Sequence, residues 1–402
     1  MNEVVVTGLG IVGPHGDVPE AIFAALMRGE SAVQQVFPDL PKPTAAATAA
    51  FDQMRWFTKL QLAGVDRVSQ LAVAAADLAM KDAGATGDVD PERLGVYLGC
   101  GMGGAGSLET AYRGGPRVPP LTVPAFMPNA PAAHVAMRQH ALGPVLTYSI
   151  ACSSSAVAIA EAAKAVQAGE VDLAIAGGTE ALIVPGVVLA WQAMQTLAGF
   201  NPGEAAHSVR PFSADRTGFA LGEGAAFLVL ESAERAKRRG ARRYASLAGW
   251  GLSTDATHLT KPDVAGQARA LRTALRRADV QPRDVGYCNA HGTATRIGDV
   301  IERDALAEVW GHDLDRLRVS STKGLHGHLL GAAGALEAAI TVMALQHRQL
   351  PPNAHCTAID PACQLNLVPQ AGADAPQLEV AISNSFAFGG SNAVLVFKRA
   401  LA

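Results

Sequence analysis

Two stretches far apart in the chain spell the same frame. Asp88-Val-Asp-Pro-Glu-Arg-Leu-Gly95 and Asp279-Val-Gln-Pro-Arg-Asp-Val-Gly286 both read D-V-x-P-x-x-aliphatic-Gly, and their closing glycines lie 191 residues apart. Each comes after an Ala-rich helical stretch and precedes a strand pattern, so whole supersecondary units are repeated. The segments downstream of the two frames match as well. Pro144 to Tyr148, a polar turn, a small-residue helix near Ala156 to Ala168 and the strand Val171 to Gly178 are echoed by Leu317 to Ser320, a Gly/His-rich turn, an Ala-rich helix near Leu329 to Leu345 and a strand starting at Leu378. Val4-Val-Val-Thr-Gly-Leu-Gly10 is echoed by Ser246-Leu-Ala-Gly-Trp-Gly251. Matched elements in matched order predict an internal duplication into halves 1–240 and 241–402, and a site between them that draws on both.

The class is α/β, because short Val/Ile/Ala strands running into Gly-rich turns alternate with helical stretches. The 402 residues exceed what one core usually organises, in keeping with two units of about 200 residues each. Hydrophobic residues make up 49% but aromatics only 5%, so the core must be built from small aliphatics. A net charge of −3 provides no field for gripping nucleic acid or an anionic membrane. No apolar run is long enough to span a bilayer and no basic leader precedes one, so the expectation is a soluble cytoplasmic chain. Five scattered cysteines (Cys100, Cys152, Cys288, Cys356 and Cys363) without a CxxC pair predict free thiols, neither a disulfide framework nor a zinc site.

Gly8-Leu-Gly-Ile-Val-Gly13 spells GxGxxG after a strand. Pro14 comes at once and disfavours a helix opening at Gly13, so the glycines are read as a tight turn rather than a dinucleotide site, with a helix starting later behind Asp17 as its cap.

Four segments carry chemistry. In Tyr148-Ser-Ile-Ala-Cys-Ser-Ser-Ser-Ala156 a strand ends in a small-residue turn and a helix begins directly after Cys152. That puts a thiol at a helix N-terminus, where free N–H groups and the dipole favour a thiolate and an oxyanion; the alternative is a buried structural cysteine. His291 ends a strand in Asn289-Ala-His-Gly-Thr-Ala-Thr295, with Thr293 and Thr295 free to bind an amide-rich ligand. Lys323 and His328 stand among residues too small to bury them in Ser320-Ser-Thr-Lys-Gly-Leu-His-Gly-His-Leu-Leu-Gly-Ala-Ala-Gly334. The apolar helix behind this motif carries a lone acid, Glu337, for which Lys323 is the nearest partner; the alternative is an ordinary capping or solvent-facing Glu. Ser383-Asn-Ser-Phe-Ala-Phe-Gly-Gly-Ser-Asn392 sets aromatics beside glycines that let backbone N–H groups approach a ligand.

These four motifs, in this order, closely resemble the β-ketoacyl-[acyl-carrier-protein] synthases, the elongating type II enzymes and the related polyketide ketosynthases, from Val4 to Phe397. The resemblance implies a thiolase-like fold, two βαβαβ halves in five α/β/α/β/α layers, usually a homodimer. It implies decarboxylative Claisen condensation: Cys152 carries the acyl group as a thioester, while His291 and His328 donate hydrogen bonds to the malonyl thioester oxygen. It also implies that the N–H groups of Cys152 and Phe388 form an oxyanion hole, Lys323 pairs with Glu337, and Thr293 and Thr295 bind the phosphopantetheine arm. That arm belongs to the carrier, so no cofactor or metal is expected of the chain. Met102 and Trp191 fall where the family lines its acyl pocket, and an indole would shorten or flatten it.

The expected partners are an acyl carrier protein and a second copy or a chain-length-factor-like homologue. Lys59 to Asp66 carries fewer basic residues than the family's carrier-docking helix, which leaves Arg117 or the cluster Arg235, Lys237, Arg238, Arg239, Arg242 and Arg243 for an acidic carrier. Asn289 and Arg296 replace the family's usual Glu and Pro. A thiolase would need a second cysteine where Phe388-Gly-Gly-Ser stands. A type III synthase would lack the Lys323 and His328 motif, and a silent chain-length factor would lack Cys152.

Overall fold

The computed structural model describes residues 2–400. Eleven strands form one sheet in the order Asn366–Leu367, Arg318–Ser320, Tyr287–Asn289, Val380–Ala387, Ser391–Arg399, Ala245–Thr254, Val4–Val12, Gly224–Ser232, Leu173–Glu180, Leu94–Gly99 and Val145–Tyr148. The halves join where Val5 and Val6 pair antiparallel with Ser246 and Ala245. Counted outward from that seam, both halves run first, fifth, fourth, second, third in chain order, with the same parallel and antiparallel pairings; Asn366–Leu367 is an added edge. The repeat that the two D-V-x-P frames predicted is therefore a repeat of topology.

Helices Arg67–Asp82 and Val264–Ala278 cover the outer faces, and helices Ser154–Ala168 and Ala333–His347 pack against each other between the two half-sheets, giving five layers in the thiolase-like manner. The residue types reflect the layer. The outer helices are capped by Asp66 and Asp263; Val264–Ala278 buries one face, whereas Arg67–Asp82 also packs against helix Ala130–Gln139 and is buried at every position from Val68 to Ala76. The central helix Ala333–His347 is buried at every position from Ala333 to Leu345. A helix enclosed on all sides has no room for a polar face, and alanine lets it approach both sheets. Glu337 is its one carboxylate.

The GxGxxG segment is not a turn. The strand Val4–Val12 runs through it, and Gly8 and Gly10 lie under helix Arg67–Asp82, where a Cβ would come 2.3 Å from Ala79 O and 2.0 Å from Ala75 O. They are glycine so that the helix can sit on the strand. The first helix, Pro19–Met27, starts on its proline one residue later than an Asp17 cap would place it: Val18 is its N-cap and Asp17 pairs instead with Arg55.

At the far end, strand Val145–Tyr148 has an unpaired edge. Val145, Leu146, Leu142 and Met137 are exposed around it and give this edge an apolar border among the described residues.

Candidate active site

Behind Tyr148 the chain turns through Ala151, at φ +44°, into the 3-10 turn Ala151–Ser153 and then helix Ser154–Ala168. A left-handed alanine is unfavourable, and the serines hold it there. Ser154 Oγ accepts from Ile150 N at 2.8 Å and donates to Ala151 O at 2.6 Å, while Ser153 Oγ donates to Ile150 O at 3.0 Å. Cys152 sits on this elbow, 8% exposed.

His328 reaches it from the other half. Its backbone is strapped to the N-terminal half, donating to Ala220 O at 2.8 Å and accepting from Gly222 N at 2.9 Å. Its Nε2 lies 3.1 Å from Cys152 Sγ, and its Nδ1 accepts the N–H of Leu330 at 3.3 Å. An Nδ1 that accepts carries no proton, so the neutral ring bears its hydrogen on Nε2, aimed at the sulfur and the space above it. His328 is thus placed as a donor, not as a base for the thiol.

Lys323 and Glu337 are both fully buried and form an ion pair beneath the histidines. Burial pushes the Glu337 carboxyl up to about 7 against the pull of Lys323. His326 hydrogen-bonds Gly327 O and Thr322 Oγ1 within its own turn and takes no part in the cluster.

His291 leaves the end of strand Tyr287–Asn289, and its ring meets that of His328 edge-on at 5.4 Å. Its loop is held from beneath by Glu302, which motif reading did not single out. The Glu302 carboxylate accepts the N–H groups of His291 at 2.8 Å and Gly292 at 2.7 Å, and Asn384 Nδ2 at 3.0 Å. Two of its three partners are backbone amides, so the residue types of the motif carried no signal for it. Thr293 and Thr295 point their hydroxyls at each other, 3.0 Å apart.

A cavity of about 410 Å³ gathers Cys152, His291, His328, Thr293, Thr295, Trp191 and Phe388 on its wall. Trp191 stacks on Phe388 at 6.0 Å and meets Phe219 edge-on at 5.4 Å, and Phe219 in turn abuts His328. Lys261 and Arg296, both exposed, line the same cavity. Met102 does not; it lies 52% exposed on the other side of the Gly101 turn.

The basic cluster is also not the free patch its sequence suggested. Arg235 and Arg239 are spent on the buried Glu231 and on Asp88, Arg238 pairs with Glu234, and Arg242 stacks on Tyr244. Lys59 to Asp66 forms turns rather than a regular helix, with Arg117 exposed elsewhere.

Electrostatics modify the thiolate expectation. Burial pushes the Cys152 thiol up to about 12, with Lys323 the largest opposing influence, so desolvation outweighs the helix start. Burial first, then Lys323, holds both His291 and His328 well below the usual histidine range. The resting site therefore holds a neutral thiol and two neutral imidazoles. One ligand atom from each lies within 4.8 Å of the others, close enough to share one reacting group.

Residues 1–236 match the family model of the beta-ketoacyl synthase N-terminal domain, and residues 244–357 that of the C-terminal domain. The chain is 37% identical, over 99% of its length and 98% of the relative's, to 3-oxoacyl-[acyl-carrier-protein] synthase 2 of Staphylococcus aureus strain N315. Its fold is similar to a beta-ketoacyl synthase of Burkholderia phymatum STM815 (TM-score 0.92, 36% identity) and to the ishigamide ketosynthase/chain length factor (TM-score 0.91, 32% identity), each covering both chains fully. A duplicated five-layer fold that brings a cysteine and two histidines together across its halves, together with these full-length matches, places the chain in the β-ketoacyl synthase family.

Proposed function

We propose that this chain is a 3-oxoacyl-[acyl-carrier-protein] synthase that condenses an acyl thioester on Cys152 with malonyl-[acyl-carrier-protein], its halves 1–240 and 241–402 supplying nucleophile and histidines respectively. The observation that carries the proposal is the convergence of Cys152 Sγ and two neutral, donor-capable histidines in one apolar cavity. Sulfur attacks the acyl carbonyl, the bond to the carrier's thiol breaks, and the thiol proton of Cys152 passes to that leaving sulfur. The N–H groups of Cys152 and Phe388 receive the transient oxyanion.

Malonyl thioester then loses CO2, and the electron pair of the broken C–C bond becomes an enolate. Its oxygen accepts from His328 Nε2–H and from His291, bonds that strengthen only as charge develops there. The enolate carbon attacks the Cys152 thioester, sulfur departs as a thiolate that takes a proton from a water molecule entering the cavity, and the 3-oxoacyl chain remains on the carrier. Neutral imidazoles suit a donor role at low dielectric cost, and Lys323 with Glu337 fixes the field beneath them. Thr293 and Thr295 bind the amide-rich arm, Trp191 bounds the acyl chain, and no resident cofactor or metal is needed. Lys261 and Arg296 place positive charge where an acidic carrier presents that arm.

A second reading, that condensation requires a chain-length-factor-like partner rather than a second copy, is favoured by the likeness to the ishigamide pair; the exposed edge Val145–Tyr148 would accept either partner. Purified protein given acyl carrier and then malonyl carrier should show an acyl adduct on Cys152 and a 3-oxoacyl product by mass spectrometry. An adduct mainly on another cysteine refutes the first reading. Product only on adding a homologous partner selects the second, and with it a specialised pathway over fatty-acid elongation.

A further inference from the structure

Behind His328 lies a carboxylate that the reaction does not touch. Glu180 ends strand Leu173–Glu180, fully buried, and its hydrogen-bond partners include no lysine or arginine. Instead it collects N–H groups from both halves. One oxygen accepts from Gly101 N at 2.8 Å and Gly331 N at 3.0 Å; the other lies 3.4 Å from Met102 N and 3.9 Å from Cys100 Sγ. Burial raises the carboxyl to about 7 while these amides pull it down, so the site tolerates a costly group.

Gly331 is the next residue after Leu330, whose N–H fixes the proton of His328 on Nε2. That bond is long, at 3.3 Å, and Leu330 itself sits at φ +47°, where a branched side chain does not rest by its own preference. Something adjacent has to hold it. The backbone at Gly331 is pressed against the Gly101 turn and the carboxylate: a Cβ there would come 2.5 Å from Gly101 N and 2.6 Å from Glu180 Oε2.

We infer that Glu180 is a positioning residue, which holds the Gly331 amide so that Leu330 N–H stays aimed at His328 Nδ1 and the Nε2 proton stays directed at the reacting oxygen. The catalytic consequence rests on the function proposed above; the orientation of the ring does not.

Glu180→Gln keeps an acceptor oxygen for Gly101 and Gly331, whereas Glu180→Leu removes it. Histidine-labelled protein, assigned with His328→Ala, reports the Nδ1 resonance of His328 by long-range nitrogen–proton spectra without any substrate. In Glu180→Leu that resonance should shift toward the value of a non-hydrogen-bonded nitrogen. Malonyl decarboxylation should fall about 10- to 100-fold, as for other residues that orient an active group from behind. Acyl transfer to Cys152 should change by only a few-fold, and Glu180→Gln should recover most of both.

If Glu180→Leu does not fold, Gly331→Ala displaces the same amide and should give the same shift and the same split. An unmoved Nδ1 resonance overturns the inference, and so does an equal loss in both half-reactions, or a Glu180→Gln variant no better than Glu180→Leu. A shifted resonance in a protein that condenses nothing would leave the inference standing and refute the proposed function.

Discussion

The elbow that carries Cys152 is seated by contacts too close for any side chain, which makes Gly99→Ala a sharp perturbation. A Cβ on Gly99 would stand 2.2 Å from Ser155 N, 2.4 Å from Ser154 C and 2.5 Å from Ser155 Cα, all in the first turn of helix Ser154–Ala168. Ordinary contact begins near 3.4 Å, so strand or helix must yield by about 1 Å. The helix has nowhere to go, because on its other side Gly334 already sits where a Cβ would be 2.9 Å from Ala156 N. Overpacking of this kind costs about 1–3 kcal/mol of stability. Cys152 is two residues upstream of the displaced turn, and its 3.1 Å contact with His328 Nε2 does not survive a shift of that size. A misplacement of about 1 Å costs on the order of 100-fold in rate. The assay is the rate of acyl transfer from acyl carrier to Cys152 by intact mass, alongside thermal unfolding. A Gly99→Ala protein that melts and acylates like the parent would show that the first turn of this helix does not place the nucleophile.

The geometry fixes four further outcomes. Because burial holds the Cys152 thiol near 12, its alkylation by iodoacetamide should keep rising about tenfold per pH unit up to the limit of the fold, and a plateau below pH 8 would show that the helix start outweighs desolvation. His291→Ala or His328→Ala should each slow malonyl decarboxylation on the order of 100- to 1,000-fold and acyl transfer far less, and the reverse pattern would overturn the roles given to them. Trp191→Phe should extend the accepted acyl chain by a graded amount, a pocket methylene being worth about 1–3 kcal/mol, with an unchanged profile of condensation rate against chain length as the contrary result. His291, His326 (near 3) and His328 titrate below their unfolded value, so each loses stability as pH falls through 6.5. Glu180, Asp299 and Glu337, near 7, gain it between 7 and about 4.5. Chemical denaturation should therefore show a shallow pH dependence from about 6.5 to 4.5 and a steep loss below it, and a steep loss already at pH 6 would contradict the opposition.

What was legible in the sequence was whatever a short stretch carries within itself. The D-V-x-P frames gave the duplication because each closes a unit that has to be built twice, and the Cys152, His291, Lys323 and His328 motifs stood out because small residues surround each reactive one. What stayed hidden depends on burial and on segments that only the folded chain brings together. Arg235 and Arg239 read as a basic patch because nothing local shows that Glu231 is buried and faces them. Gly8 and Gly10 read as a turn because the helix that needs them glycine begins more than fifty residues later. Glu302 and Glu180 are single acids whose partners are backbone amides, and an amide leaves no mark in the residue types around it.

The same division explains why the helix-terminus reading of Cys152 captured the geometry and missed the proton. A helix start is local, and its field acts on the sulfur wherever the helix is placed. Desolvation is set by what the two halves jointly enclose, and at Cys152 it is the larger influence. Enclosure raises the thiol and lowers both imidazoles together, which leaves a site without net charge on its three reacting groups. Such a site does not stabilise a malonate carboxylate by counter-charge. In the proposed reaction it offers directed N–H donors to an enolate oxygen that exists only after CO2 has gone, and the excess charge of the step is then best accommodated at the point where the carbon nucleophile forms. The buried carboxylates belong to the same logic: in the proposed reaction Glu337 balances Lys323 so that the cation does not pull the enolate off the histidines, and Glu302 and Glu180 spend their charge on amides, fixing the two histidine turns without adding a field that either ring would have to oppose.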